Sequence, residues 1–168
     1  MGTQPALAGI DGRMFALDDA RARLEFHMRQ KGLKHTRQRD EILEAFFQVG
    51  GHASIEDLLA KVQSRLPGVG YATVYRSLRL FVEAGIAQER RFDDGQTRYE
   101  PVSDEHHDHL ICTTCGTIFE FEDPAIEAAQ AAVAAVHGLQ VRTHRHEIYG
   151  TCLQPESCVH RARAARPA

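Results

Sequence analysis

Residues 72–102, ATVYRSLRLFVEAGIAQERRFDDGQTRYEPV, change period halfway along. Up to Ala84 the apolar residues Val74, Leu78, Phe81 and Val82 recur at helical spacing, and Gly85 supplies a C-terminal stop. Beyond it, Ile86 to Phe92 and Thr97 to Val102 flank Asp93, Asp94, Gly95 and Gln96, a turn cluster of the kind that closes a hairpin. The side of the helix away from its apolar stripe carries Thr73, Tyr75, Arg76 and Arg79, concentrated in the N-terminal half that a recognition helix presents to a major groove.

Working upstream, three more helices lead into this one. Asp18 or Asp19 opens the first, with Leu24 and Met28 four apart and Gly32 as its stop. Thr36 caps the second, whose Ile42, Leu43, Phe46 and Phe47 repeat before Gly50 and Gly51. Ser54-Ile55-Glu56-Asp57 has the capping-box form and precedes Leu58, Leu59, Val62 and Leu66, ended by Pro67-Gly68. Helices followed by a hairpin make a winged helix. Residues 1–17 have no clear periodicity and read as an N-terminal extension, so the winged-helix domain is placed at 18–101.

Downstream of Pro101 the pattern becomes short strands, about Asp108 to Cys112 and Thr117 to Phe121. A helix opened by Asp123-Pro124 follows, with Ile126, Ala129, Val133 and Val136 as an apolar stripe. Gly138 ends it, and Leu139 to Tyr149 reads as another strand. The expected fold class is therefore α+β: an N-terminal winged-helix DNA-binding domain, then a small α/β domain over 102–168. Apolar faces on helix 123–137 and strand 139–149 suggest that the second domain pairs with another copy, as two-fold operators require.

Composition narrows the function classes. With 43% hydrophobic and 26% charged residues the chain can build a core rather than remain disordered. A net charge of -3 argues against nonspecific coating of nucleic acid or anionic membrane, yet Arg29, Lys31, Lys34, Arg37 and Arg39 form a local basic stretch without an acid. No apolar run approaches the roughly 20 residues of a membrane span, and the start lacks a signal-peptide pattern, so a cytoplasmic protein is expected.

Two segments carry metal-binding chemistry. Cys112-Thr113-Thr114-Cys115-Gly116 is a zinc knuckle, and Cys152 and Cys158 can complete a closed S4 site, structural rather than catalytic. In a reducing compartment thiolate ligation is favoured over disulfides. The segment Asp104-Glu105-His106-His107-Asp108-His109 is dense in ligands. As a strand it sends His107 and His109 to one face and His106 and Asp108 to the other, so it can feed two separate sites. Mixed imidazole and carboxylate donors suit Zn, Fe, Mn or Ni.

Taken in order, Ala72-Thr73-Val74-Tyr75-Arg76, His106-His107-Asp108-His109-Leu110-Ile111-Cys112 and Cys115-Gly116 resemble the signature segments of the ferric uptake regulator family. Gly32-Leu33-Lys34, Glu56-Asp57-Leu58, Ala84-Gly85-Ile86 and Tyr149-Gly150-Thr151-Cys152 extend the resemblance from about Gly32 to Cys158. The resemblance implies a regulatory hinge site made by His52, Glu100, His107, His109 and Glu120, and a second site made by His106, Asp108, Glu127 and His144. It also implies DNA contacts from Lys34, Arg37, Thr73, Tyr75 and Arg76, and structural Zn(II) on Cys112, Cys115, Cys152 and Cys158. The partners it implies are double-stranded operator DNA and a second copy of the chain, as a homodimer or a dimer of dimers, with no small organic substrate.

The chain departs from the family pattern in places. Five residues separate Cys152 from Cys158 where the family pattern has four, which makes Cys158 the weakest zinc ligand; Gln38 stands where a proline is common. Within the family the zinc-sensing branch tends to use a regulatory cysteine and the peroxide-sensing branch aspartates, whereas this chain offers Glu100 and Glu120. The expectation is an Fe(II)-sensing repressor of iron uptake, not an enzyme, with Mn(II) or Zn(II) as substitute ions. Manganese, nickel, zinc or peroxide sensing are the alternatives within the family. A metallohydrolase is the rival from another class, but it needs an open coordination position and a general base, and the sequence has no His-Glu-x-x-His helix.

Overall fold

The computed structural model describes residues 17–93, 95–103 and 106–158. Two compact units part between residues 105 and 106. The N-terminal extension, Asp94 of the hairpin turn, and Asp104 and Glu105 of the ligand-rich segment lie outside the described residues.

The first unit contains α1 (Leu17–Gln30), α2 (Arg37–Val49), α3 (Ile55–Gln63), α4 (Tyr71–Glu83), β1 (Ala87–Arg91) and β2 (Thr97–Pro101). Its helix ends follow the capping chemistry of the sequence. Thr36 accepts from the Arg39 amide, and Ser54 and Asp57 bond each other's backbone reciprocally. At the end of α4, Gly85 takes φ 67°, a left-handed conformation costly for residues with a Cβ. The Gly85 amide then reaches Val82 O at 3.0 Å and the Ile86 amide Phe81 O at 2.9 Å, closing a Schellman motif that turns the chain into the hairpin.

Leu24 and Met28 of α1, Ile42, Leu43 and Phe46 of α2, Leu58 and Val62 of α3, and Val74, Leu78 and Phe81 of α4 converge in one buried cluster with Ile86 and Tyr99. On α4, Ser77 and Leu80 are buried as well, while Val82 is only half-buried. The buried stripe is thus rotated slightly from the one read in the sequence. The Ser77 hydroxyl donates to Thr73 O at 2.9 Å, which satisfies it inside the core.

The second unit contains β3 (Asp108–Cys112), β4 (Ile118–Phe121), α5 (Pro124–Val136), β5 (Glu147–Gly150) and a short 3-10 turn at Pro155–Ser157. The sheet order is β4-β3-β5, with β4 antiparallel and β5 parallel to β3. Asp123 caps α5 by accepting from the Ala125 amide at 2.8 Å.

One expectation for this unit is corrected. Residues 139–146 are not a strand, because the parallel ladder with β3 pairs only Glu147 to Gly150. The apolar stripe on α5 is left exposed in the single chain: no residue of the helix is buried, and Val133 and Val136 are 64% and 83% exposed. Among the described residues no helix is long and apolar enough to cross a membrane.

Candidate metal centres and nucleic-acid face

The first unit brings two donors together through a long-range backbone contact. Between Gly51 and the Ser54 cap the chain runs beside β2, and Ala53 and Tyr99 form an isolated antiparallel bridge with N···O distances of 2.9 and 2.8 Å. His52 and Glu100 flank that bridge. His52 Nδ1 lies 2.9 Å from Glu100 Oε2, and each side chain is only 5% exposed. Glu100 Oε1 accepts from Arg90 Nε of β1 at 2.7 Å, and the His52 ring meets Phe92 edge-on at 5.5 Å. Burial pushes the hydroxyl of Tyr99, the bridge residue, up to about 12, so it stays neutral.

In the second unit the strand parity separates the histidines. His107 and His109 stand with ring centroids 5.1 Å apart, and the β3–β4 register sets Glu120 directly across from His109. His109 is buried and His107 half-buried. The alternate pair, His106 and Asp108, meets His144 and Glu127 of α5 in a convergent group of four donors.

The spacing in that group identifies its chemistry. Asp108 Oδ1 is 3.3 Å from both His106 Nε2 and His144 Nε2; Glu127 Oε1 is 3.6 and 3.3 Å from the same two nitrogens. At 3.3 to 3.6 Å these contacts lie at the long end of hydrogen-bond distances, and what sets the group apart is that all four donor atoms converge on one point. A tetrahedron with metal–ligand bonds of about 2.0 to 2.2 Å has edges of about 3.3 to 3.6 Å. The residues therefore fit a divalent ion at their centre, with two imidazoles and two carboxylate oxygens as donors.

The four thiols are free cysteines, and within the second unit they are not gathered into a convergent donor group as the histidines and acids are. Their backbones are nevertheless tied together. The Thr113 amide donates to Gly150 O at 2.8 Å, and the Cys152 amide donates to Thr114 Oγ1 at 3.2 Å. The Cys112–Cys115 turn is thereby fastened to the chain that carries Cys152, while Cys158 follows the 3-10 turn. Gly116 takes φ 71° beneath the knuckle.

On α4, Tyr75 and Arg76 are exposed and Thr73 is half-buried. Arg79 is tied to the wing through Glu89 of β1 at 3.2 Å. Lys34 and Arg37 are exposed around the α2 N-terminus, with Arg37 3.7 Å from Glu41. His146 was not singled out in the sequence, yet its Nδ1 lies 3.3 Å from Asp108 Oδ2. The signal for it is the spacing His144-x-His146, which aligns both rings on one side of an extended segment.

Comparison with known proteins places this architecture. The model of the ferric uptake regulator family matches residues 30–149, most of both units. The chain belongs to the ferric uptake regulator family. A ferric uptake regulation protein of Campylobacter jejuni is 40% identical over 127 residues, covering 74% of this chain and 81% of the relative. The solved ferric uptake regulator of Helicobacter pylori, described as having three functional metal binding sites, superposes with a TM-score of 0.77 at 28% identity, covering 88% of this chain and 98% of that one. A solved zinc-bound manganese uptake regulator gives 0.68 at 39% identity, over 77% and 98%. As a member of this family, the chain is a metal-responsive transcriptional regulator with an α+β fold.

Proposed function

We propose that the chain is an Fe(II)-sensing repressor of iron uptake, acting in the cytoplasm as a homodimer on double-stranded operator DNA, with no catalytic activity. Residues 18–101 read DNA and residues 102–168 bind metal and dimerise. The observation that carries the reading is the buried His52–Glu100 pair at the wing of the reading unit. The name of the Campylobacter jejuni relative favours iron, and imidazole with carboxylate oxygen suits Fe(II) as well as Mn(II) or Zn(II).

In this reading His52 and Glu100 share a regulatory ion with His107, His109 and Glu120. Bound there, the ion acts as a cross-link. His52 and Glu100 hold it on the wing side, Glu100 kept in place by Arg90. Two reading heads must meet half-sites about 34 to 36 Å apart, so donors from both units that restrict their relative motion raise DNA affinity by selecting the productive arrangement. Tyr75, Arg76 and Thr73 then face the groove, and Lys34 and Arg37 the phosphates. Cys112, Cys115, Cys152 and Cys158 hold structural Zn(II), and the group on Asp108 holds a further ion. Val133, Val136 and Leu139, all exposed in the single chain, supply the apolar face that a second copy covers.

Metal and DNA should favour each other by roughly 1 to 3 kcal/mol, about 5- to 150-fold. The test uses a palindromic duplex selected from random DNA by the zinc-loaded protein and titrated with Fe(II), Mn(II) and Zn(II) in turn. His52→Ala should keep its structural zinc and its dimer but lose most of the metal-dependent gain in affinity. A His52→Ala protein that responds fully to Fe(II) refutes the hinge assignment. A wild type that responds to Mn(II) or Zn(II) and not to Fe(II) changes the sensed metal.

A further inference from the structure

The carboxylate of Asp108 has two oxygens with different company. Oδ1 faces His106 and His144 at 3.3 Å each, inside the four-donor group. Oδ2 meets His146 Nδ1 at 3.3 Å. His146 does not belong to the convergent donors; in the tautomer that protonates Nδ1, its contact with Oδ2 is a hydrogen bond donated to the carboxylate.

Asp108 is 1% exposed, so water does not set the angle of its carboxylate. A buried carboxylate free to rotate about its terminal torsion would present either oxygen, or neither, to the ion. His146 is itself anchored from two directions. Its carbonyl accepts from the His109 amide at 3.1 Å, at the point where the chain joins the β3–β5 ladder. Its ring meets Phe121 of β4 at a centroid distance of 6.0 Å. The backbone of His146 is thus tied to β3 and its ring packs on β4, beside Asp108.

We propose that His146 is a positioning residue for this metal centre: by bonding Asp108 Oδ2 it fixes Oδ1 as the ligand and sets the affinity of the site. The proposal rests on the reading of His106, Asp108, Glu127 and His144 as metal ligands, and adds to it a residue that touches the ligand without touching the ion. Partners in this outer position typically contribute 10- to 100-fold in affinity. Because the role is donation from Nδ1, it should transfer to asparagine, whose Nδ2 is the same number of bonds from Cα.

The test measures Zn(II) affinity by competition with a chromophoric chelator, in full-length protein with its cysteine site loaded. A His52→Ala background removes the hinge set from the count. His144→Ala should abolish the ion at this cluster. His146→Ala should retain it with an affinity lowered 10- to 100-fold, and His146→Asn should recover to within about threefold of the parent. Equal losses in His146→Ala and His146→Asn would make the ring a packing element against Phe121 and overturn the proposal, as would an unchanged affinity in His146→Ala. If His144→Ala leaves Zn(II) binding unchanged, the metal reading of the cluster fails first and the role of His146 falls with it.

Discussion

Removing structural zinc should melt the second unit and leave the first folded. The perturbation is Cys112→Ser, chosen because Cys112 is only half-buried, so the oxygen-for-sulfur exchange leaves packing nearly intact. The magnitude follows from what each unit buries. All the residues of the main apolar cluster, from Ala20 to Tyr99, lie in the first unit. Among the described residues of the second, the buried apolar side chains are Ile111 and Cys115, and α5 contributes none. Burying a side chain the size of isoleucine yields about 1.5 to 3 kcal/mol, whereas ordering the backbone costs roughly 1 to 2 kcal/mol for every residue. Helix and ladder hydrogen bonds narrow that deficit without closing it, at about 0.5 to 1.5 kcal/mol net each. Structural zinc contributes an apparent 10 to 16 kcal/mol in small zinc domains, comparable with the whole stability of a typical domain, about 5 to 15 kcal/mol. Hydrogen exchange read by peptide should therefore show residues 106–158 of zinc-free Cys112→Ser exchanging near the unfolded rate, with α2 to α4 still protected. Sedimentation should show loss of the dimer, and Cys158→Ser should be milder on both counts. Retained protection across β3 to β5 in zinc-free Cys112→Ser would refute the reasoning.

Two further outcomes are expected. Arg76→Ala should weaken operator binding and, if the guanidinium meets a phosphate, reduce the salt slope by about 0.9; unchanged affinity and slope in filter binding would remove α4 as the reader. The Glu83 carboxyl, at the end of α4, is held below the usual carboxylate range by its hydrogen bond from Lys31, just past the end of α1, with the Lys31 charge acting in the same sense. A depressed folded-state pKa gives stability that is present above the unfolded value of about 4.3 and lost as pH falls through the folded one. The stability gap between wild type and Lys31→Ala should thus be present at pH 6 to 7 in urea titrations and shrink progressively as pH falls below the unfolded value of about 4.3, and a gap that does not change with pH would assign it to packing.

Local chemistry was legible in the sequence wherever one segment settles it. The Ser54–Asp57 box, the Thr36 cap and the Gly85 stop each depend on residues within a few positions, and each forms as its pattern requires. The parity of His106 to His109 was legible for the same reason, since alternation belongs to the strand alone. What was not legible depends on partners. The segment 139–146 has β-like composition, but a strand needs a ladder, and in this register β3 begins at Asp108 and so offers it at most one further residue. The apolar stripe of α5 has the right spacing for burial and nothing in the single chain to be buried against.

His52 illustrates how far spacing can reach. By sequence it is a histidine in a loop between two helices, well before Glu100 in the chain, and a regulatory role for it is implied only by the family resemblance. Its physical placement comes from a single pair of backbone hydrogen bonds between Ala53 and Tyr99. Neither residue carries metal chemistry, which is why no pattern of ligands could announce the contact. The bridge is short because the two ends it joins are already fixed, by the Ser54 box on one side and by the β1–β2 ladder on the other. A donor pair built this way inherits the rigidity of the wing, whose own Arg90 grips Glu100 from the opposite side. Under the proposed reading, an ion taken up by His52 and Glu100 would act on the same hairpin that follows α4 through the Schellman turn at Gly85, a route of a few covalently short, hydrogen-bonded steps from the wing to that helix.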